Sequence, residues 1–372
     1  MADPVVVLDT RCVSARPTGV GRWTANLILG LDGLPAAQRV RWCAITQPDA
    51  AWPPAITQAL AGMDGQIIEV DRSMHNPRGW RSVVRAVESV GADWLVTPDA
   101  FAPLWGDFRR ATVIHDAIPI TQGRCLRRSV KSRVPGLWRA WLFAQSRRSD
   151  VVLTVSRCAA RQLAGLLGLP ASKLAVVGNA VAPPERAVDR KASEGPPWLL
   201  YVGRRDPYKN VPMLVRLTAR LREQGISCRL AIVGPADHRY PEAEREAERL
   251  GLGPDAVRFV GPVDEAELDR WYARAAVVTL PSLEEGFGLP ALEAMAHDVP
   301  VACSNRSGLA EAVGRAAVSL DPRSDEIWAQ GVGSLLQDPE RRNALVQAGR
   351  VRAERYTPRR QARRVLRALG LA

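Results

Sequence analysis

Short apolar runs rich in β-branched and aromatic residues recur along the chain, with amphipathic stretches between them. In the first half the runs fall at 5–8, 42–45, 66–70, 94–97, 112–114, 151–155 and 174–177; in the second half they fall at 198–202, 230–233, 257–260, 276–280, 299–303 and 317–320. Most are continuous rather than alternating, the pattern of strands covered on both faces. Stretches 211–223, 241–250, 265–275 and 339–354 repeat apolar positions at helical spacing, and the last begins with Asp338 as N-cap and Pro339 in the first turn. Strands alternating with helices of this length predict βαβ units and parallel sheets. The series restarts near residue 198 after a strandless stretch at 182–197, rich in proline and charge, which reads as an interdomain linker. The expected architecture is therefore α/β: two Rossmann-like domains, 1–185 and 186–355, and a tail helix at 356–372 that opens on Thr357-Pro358. Val365, Leu366 and Leu369 would give that tail an apolar stripe, with arginines opposite. Ligands of such sheets sit beyond the carboxyl ends of the strands, here expected in a cleft between the domains.

Composition narrows the class. With 372 residues, 47% of them apolar and 24% charged, the chain is too ordinary to be disordered, collagen-like or a coiled coil. No apolar run approaches the ~18–20 residues of a membrane span. The start, Met1-Ala2-Asp3-Pro4, lacks the basic flank and apolar core of a signal peptide, so the expected location is the cytoplasm. Six scattered cysteines without a C-x-x-C pair read as reduced thiols, neither a disulfide framework nor a zinc site. Charge is uneven: residues 1–190 hold 24 Lys/Arg against 15 Asp/Glu, residues 356–372 hold five arginines and no acid, and residues 191–355 sum to −2. A basic first half calls for an anionic partner: a membrane surface, a phosphorylated substrate or nucleic acid.

Two segments carry candidate chemistry. Residues 280–296 read LPSLEEGFGLPALEAMA: a strand ends, a loop with Gly286 and Gly288 follows, and Pro290 fits the first turn of a helix. Loop glycines let backbone amides approach a ligand, and the helix N-terminus favours a phosphate. Glu285 and Glu293 are placed either to accept hydrogen bonds from sugar hydroxyls or simply to compensate the helix dipole. Residues 201–210 read YVGRRDPYKN: Arg204 and Lys209 bracket a turn at a strand's carboxyl end and Asn210 is placed to cap the next helix, forming a diphosphate site or a solvated basic turn.

EGFGLPALE preceded by VGRRDPYKN is similar to glycosyltransferase family 4, and further segments match in the family's order: TGVGR at 18–22, VIHDAIP at 113–119, VLTVS at 152–156 and PVACSNRSGLAEAVG at 300–314. The resemblance implies the GT-B fold, with the terminal helix returning to the first domain, and a retaining, nucleotide-sugar-dependent enzyme. By the same resemblance Arg204 and Lys209 hold the donor diphosphate, Glu285 contacts the donor sugar, Glu293 the ribose hydroxyls, and amides near Phe287, Gly288 and Leu289 complete these contacts. His115 faces the reacting sugar, with Asp116 beside it, while Gly19 and Gly21 let the first loop approach phosphates and acceptor. The family often carries N-G-V-D near the hinge, where this chain reads Asn179-Ala-Val-Ala182. No two aspartates show D-x-D spacing, so metal independence is expected, with the two cations neutralising the leaving group. The implied reaction moves a hexose, with a lean to mannose, from a GDP- or UDP-linked donor to a glycan or lipid-linked acceptor in bacterial-type polysaccharide or glycoconjugate synthesis. No cofactor beyond that co-substrate is expected.

A sugar-nucleotide epimerase of the same fold would consume donor without acceptor, and a non-catalytic glycan-binding relative would show no turnover. An NAD-dependent dehydrogenase, suggested by Gly19-Val-Gly21, fails because Thr24 stands at the third glycine position and Arg39 and Arg41 occupy the region of the acidic ribose ligand. Nucleic acid is suggested by charge alone, without a recognised module, and is not expected as a partner. Residues 124–148 interleave Arg124, Arg127, Arg128, Lys131, Arg133, Arg139, Arg147 and Arg148 with Trp138, Trp141 and Phe143. They read either as a surface for an anionic leaflet, making the chain peripheral on the inner face of the membrane, or as a core-facing helix with a solvated charged face.

Overall fold

A computed structural model describes residues 3–372 apart from 15–17, 36, 49, 64, 73, 124, 127–133 and 183–194. It divides into two compact units: the first joins Met1–Ile120, Val134–Ala180 and Tyr356–Ala372, and the second joins Thr121–Arg133 and Val181–Arg355. The expected boundary near 185 thus falls at 181. The described start of the 121–133 segment, assigned in advance to the first domain, groups with the second unit, where Thr121 Oγ1 and Gln122 Nε2 donate to the buried Glu284 carboxylate at 2.8 and 2.7 Å. Most of the expected linker, 183–194, lies outside the described residues.

Unit 1 is built on a seven-stranded parallel sheet of β1 (Val5–Asp9), β2 (Arg41–Thr46), β3 (Ile67–Glu69), β4 (Trp94–Thr97), β5 (Arg109–Val113), β6 (Val151–Thr154) and β7 (Leu174–Val176), in the order β3-β2-β1-β4-β5-β6-β7. Every residue of β1, β4 and β6 is buried, as a sheet covered on both faces requires. Helix Trp80–Ser89 lays Val83, Val84 and Val87 against Val5, Val7, Ile45 and Leu95. A second cluster packs Ile114 and Val152 with Leu142, Leu163 and Leu167. Helix Pro358–Leu369 belongs to this unit: Thr357 accepts from Arg360 N, Pro358 fills the first turn and Gly370 closes the helix at φ 73°. Its Ala362, Val365, Leu366 and Leu369 are buried and its arginines exposed, and Gln361 Nε2 donates to Trp23 O at 3.0 Å on helix Gly19–Leu31.

Unit 2 is a six-stranded parallel sheet of β8 (Trp198–Val202), β9 (Arg229–Val233), β10 (Val257–Gly261), β11 (Ala275–Leu280), β12 (Val301–Ser304) and β13 (Val318–Leu320), ordered β10-β9-β8-β11-β12-β13. In each sheet the strand order reverses once, between β1 and β4 and between β8 and β11, and such a switch point opens a crevice at the carboxyl ends of the two strands. No helix among the described residues is long and apolar enough to cross a membrane.

Candidate active site

The two motifs of the second half meet at the switch point of unit 2. β8 delivers residues 203–210 and β11 delivers residues 281–288, and because the strands are neighbours the two loops lie together. Leu283 N donates to Tyr208 O at 2.7 Å, Lys209 Nζ to Glu285 Oε1 at 2.6 Å, and Ser282 Oγ to the same oxygen at 2.8 Å. The Lys209 and Glu285 side chains are 19% and 14% exposed, so the pair is sheltered yet reachable. Glu285 is also fixed through its backbone: its N–H donates to Ser307 Oγ at 2.8 Å and its carbonyl accepts from Gly308 N at 3.0 Å. A Cβ on Gly308 would stand 2.1 Å from Gly286 O, so only glycine allows that approach. Gly288, at φ 101°, turns the chain into helix Leu289–Ala296. Phe287 and Leu289 are buried on either side of it, at a helix N-terminus whose amides and dipole suit an anion.

The adjacent arginines of the first loop point opposite ways. Arg204 is 61% exposed and forks onto Asp206, Nε–Oδ2 at 3.0 Å and Nη2–Oδ1 at 3.1 Å. Arg205 is buried against Glu244, with its guanidinium over the Phe259 ring at 5.3 Å. Tyr201 OH donates to Arg204 O at 2.5 Å; burial, followed by the nearby Glu285 and Asp206 charges, pushes that phenol well above its ordinary pKa. Asn210 stands at the N-cap of helix Val211–Glu223, but its side chain makes no cap. It adopts φ 58° and donates instead to Pro281 O and Pro322 O, tying the loops together, which corrects the expected capping role. Glu293 lies one turn inside helix Leu289–Ala296, 7% exposed, and accepts from Tyr272 OH at 2.9 Å. Both glutamates hold named partners, Glu285 accepting from Lys209 and Ser282 and Glu293 from Tyr272.

In unit 1, His115 follows β5 at the carboxyl end of its sheet. Its Nε2 lies 2.9 Å from Pro98 O, which can only accept, so Nε2 carries a proton, and the Trp23 ring packs edge-on at 6.0 Å. Asp116 Oδ1 accepts from Ile118 N at 3.0 Å, a turn-bracing role. Asn179 and Asp99 likewise accept from the next amide, and Asp99 Oδ2 lies 3.3 Å from His75 Nε2. Gly19 and Gly21 are not loop residues: both lie in the first turn of helix Gly19–Leu31, where Thr18 Oγ1 accepts from Gly21 N. Thr18, capping the helix, places both glycines in its first turn. Gly19 is exposed with open space around it, so bulk at that point remains absent by sequence. Of the basic stretch, Arg124 and 127–133 lie outside the described residues. Helix Pro135–Arg148 buries Leu142, half-buries Trp138 and Trp141, and exposes Leu137 (69%) and Phe143 (46%) together with Arg139, Arg147 and Arg148. It is therefore not simply core-facing. Ser282, Ser307, Tyr272 and Glu284 escaped sequence reasoning, since no spacing marks a residue whose partner lies in another segment.

Residues 18–184 match the profile described as Glycosyltransferase Family 4, and residues 185–352 match that of Glycosyl transferases group 1. The chain is 30% identical over 354 residues to glycogen synthase of Mycobacterium tuberculosis, covering 93% of this chain and 81% of that protein. The chain belongs to glycosyltransferase family 4. The O-antigen chain mannosyltransferase B of Escherichia coli is 29% identical over 67% of each chain. The GT-B fold is shared with solved structures: sucrose-phosphate synthase from Thermosynechococcus elongatus (TM-score 0.74, 19% identity, 99% of each chain) and Anabaena HepE in complex with UDP and glucose (0.71, 16%, 99% of this chain and 100% of that one). In this family 4 chain, no group of three or more His, Cys, Asp or Glu side chains among the described residues is placed to hold a metal ion.

Proposed function

We propose that this glycosyltransferase is a retaining hexosyltransferase that takes its sugar from a uridine or guanosine diphosphate donor and passes it to a glycan or lipid-linked acceptor without a metal. The observation that carries the reading is the Lys209–Glu285 pair at the unit 2 switch point, with Arg204 on the same loop and a helix N-terminus at Gly288. As the anomeric carbon–oxygen bond breaks, charge builds on the diphosphate, and fixed cations and helix amides are suited to receive it. Both cations already hold carboxylates, so a diphosphate would be drawn into existing ion pairs rather than into an uncompensated field. Glu285, relieved of part of its lysine contact, would accept from a donor-sugar hydroxyl, and Glu293 from the ribose. By the family resemblance, His115 is assigned to the reacting sugar. UDP and glucose in HepE, and the name of the Escherichia coli mannosyltransferase, support a hexose donor.

Thermal-shift screening of nucleotides and sugar nucleotides should identify the donor, since a ligand that binds only the native state raises Tm. With that donor, Glu285→Ala and Arg204→Ala should lower kcat/KM by roughly a hundredfold or more, the scale of losing one electrostatic contact to the transition state, at unchanged circular dichroism. Near-normal turnover in either variant would defeat the assignment. Donor consumption without acceptor would favour an epimerase instead. Helix Pro135–Arg148, which exposes Leu137 and Phe143 beside three arginines, further supports peripheral binding to anionic lipid. Vesicle sedimentation should show a preference for anionic over neutral lipid at moderate salt; equal partitioning removes this part of the proposal.

A further inference from the structure

Glu293 does not stand alone in its helix. Its carboxylate accepts from the phenol of Tyr272 at 2.9 Å, and Tyr272, 1% exposed, comes from helix Glu265–Arg274, the element that leads into β11. The Tyr272 ring is stacked on His297, with centroids 4.7 Å apart and planes inclined by 26°. His297 is in turn held at both ring nitrogens, Nδ1 2.8 Å from Glu293 O and Nε2 2.8 Å from Asp269 Oδ1. Asp269 lies three residues before Tyr272, on the same side of helix Glu265–Arg274. One helix therefore grips the other through two side chains: Tyr272 fixes the acid itself, while Asp269 fixes the imidazole that braces the Tyr272 ring.

A buried tyrosine needs some partner for its hydroxyl, and many acceptors would serve packing alone. Here the acceptor is the carboxylate assigned above to the ribose. A glutamate has three side-chain torsions, and a hydrogen bond to one oxygen from a buried donor whose ring is held in a stack limits the planes in which the carboxylate meets a ligand. We infer that Tyr272 is a positioning residue for Glu293: it orients the carboxylate for the vicinal hydroxyls of the donor ribose and thereby sets the preference for a ribonucleotide over a deoxyribonucleotide. This rests on the reading of Glu293 as the ribose ligand, and the two stand or fall on different measurements.

The test is calorimetric binding of UDP and 2′-deoxy-UDP, with the GDP pair used instead if the protein selects guanosine. Wild type should bind the ribonucleotide tighter, and Glu293→Ala should abolish the preference. Tyr272→Phe keeps the ring and its stack on His297 but removes the hydroxyl, so the fold is retained. It should cut the ribose preference by about tenfold, the scale of a hydrogen bond to a charged group, while the ratio of UDP to UMP affinity, which reports the diphosphate, stays at the wild-type value. A purely structural role would weaken UDP, 2′-deoxy-UDP and UMP alike. Tyr272→Phe with the wild-type ribose preference overturns the inference alone. Wild type without any preference, or Glu293→Ala that keeps it, overturns the ribose reading and the inference with it.

Discussion

Gly30 and Gly165 give the sharpest test of how the terminal helix is seated, because the same substitution should act with opposite sign at the two sites. Both lie inside helices of unit 1, where propensity alone makes alanine better by about 1 kcal/mol. Gly165 is exposed in helix Arg157–Leu167 and has nothing within 4 Å of where a Cβ would stand, so Gly165→Ala should stabilise by about that amount. Gly30 is buried, and its Cβ would stand 2.0 Å from Pro358 O and 2.3 Å from Pro358 C. Ordinary contact begins at 3.4 Å, so the start of helix Pro358–Leu369 must retreat by about 1.4 Å. That retreat strains the Gln361–Trp23 bond, worth about 1 kcal/mol, and loosens the contacts of Ala362, Val365 and Leu366. Overpacking of this kind costs about 1–3 kcal/mol, so with the bond loss and the propensity gain roughly cancelling, Gly30→Ala should destabilise by about 1–3 kcal/mol. Calorimetry should show Tm lower by roughly 2–12 °C for Gly30→Ala and higher by roughly 2–4 °C for Gly165→Ala. Tryptic cleavage at Arg359, Arg360 and Arg363 should also quicken in the first variant only. A neutral or stabilising Gly30→Ala would refute the seating of the terminal helix on helix Gly19–Leu31.

Two further predictions concern unit 2 and the thiols. Arg205→Ala removes a side chain that is 4% exposed and leaves Glu244 without its partner, which should cost about 2–3 kcal/mol in urea unfolding; the solvated Arg350–Asp298 pair should show no measurable change when Arg350 is replaced by alanine. Burial pushes the Cys228 thiol up to about 11 and the Cys303 thiol up to about 12. At pH 8 roughly one molecule in a thousand, or fewer, would carry a thiolate at either site, so iodoacetamide should modify exposed Cys125 in the native protein and reach Cys228 and Cys303 only after unfolding, as read by mass spectrometry.

Much of the fold was legible because parallel strands buried on both faces leave unbroken apolar runs: each of the thirteen runs falls on a strand, twelve of them to within one or two residues at both ends, while β5 starts at Arg109, three residues before the run at 112–114, because Arg109 and Arg110 open it. Caps were equally plain: Asp338 and Thr357 each accept from an amide three residues on, as their placement before proline implied. The first glycine motif misled because its meaning depends on the residue in front of it. Thr18 supplies a hydroxyl that nucleates a helix, and Gly19 and Gly21 then become first-turn residues rather than a loop. Residues 121–122 were assigned to the wrong unit for a related reason: the carboxylate that holds them, Glu284, is 162 residues away from Gln122 along the chain, and its neighbour Glu285 carries the motif that draws the eye.

The same limit explains why the unit 2 site was found but its internal logic was not. Spacing along a chain names residue types; the direction in which a side chain leaves the backbone is decided by what packs behind it. Arg204 and Arg205 are chemically identical and adjacent, yet Glu244 and the Phe259 ring draw the second inward, and only the first remains 61% exposed. Lys209 and Glu285 stand 76 residues apart and meet because the chain builds β9 and β10 on one side of β8 before returning to lay β11 on the other. The ion pair is thus a product of strand order, and the loops that carry it need no length of their own to reach each other. A doubly wound sheet brings two strand ends of the same polarity together at one place, where the order reverses. Placing a cationic turn after β8 and an acidic, glycine-bearing turn after β11 is therefore sufficient to assemble opposite charges over a helix N-terminus, and a change in either turn should alter the chemistry while leaving the sheet beneath it intact.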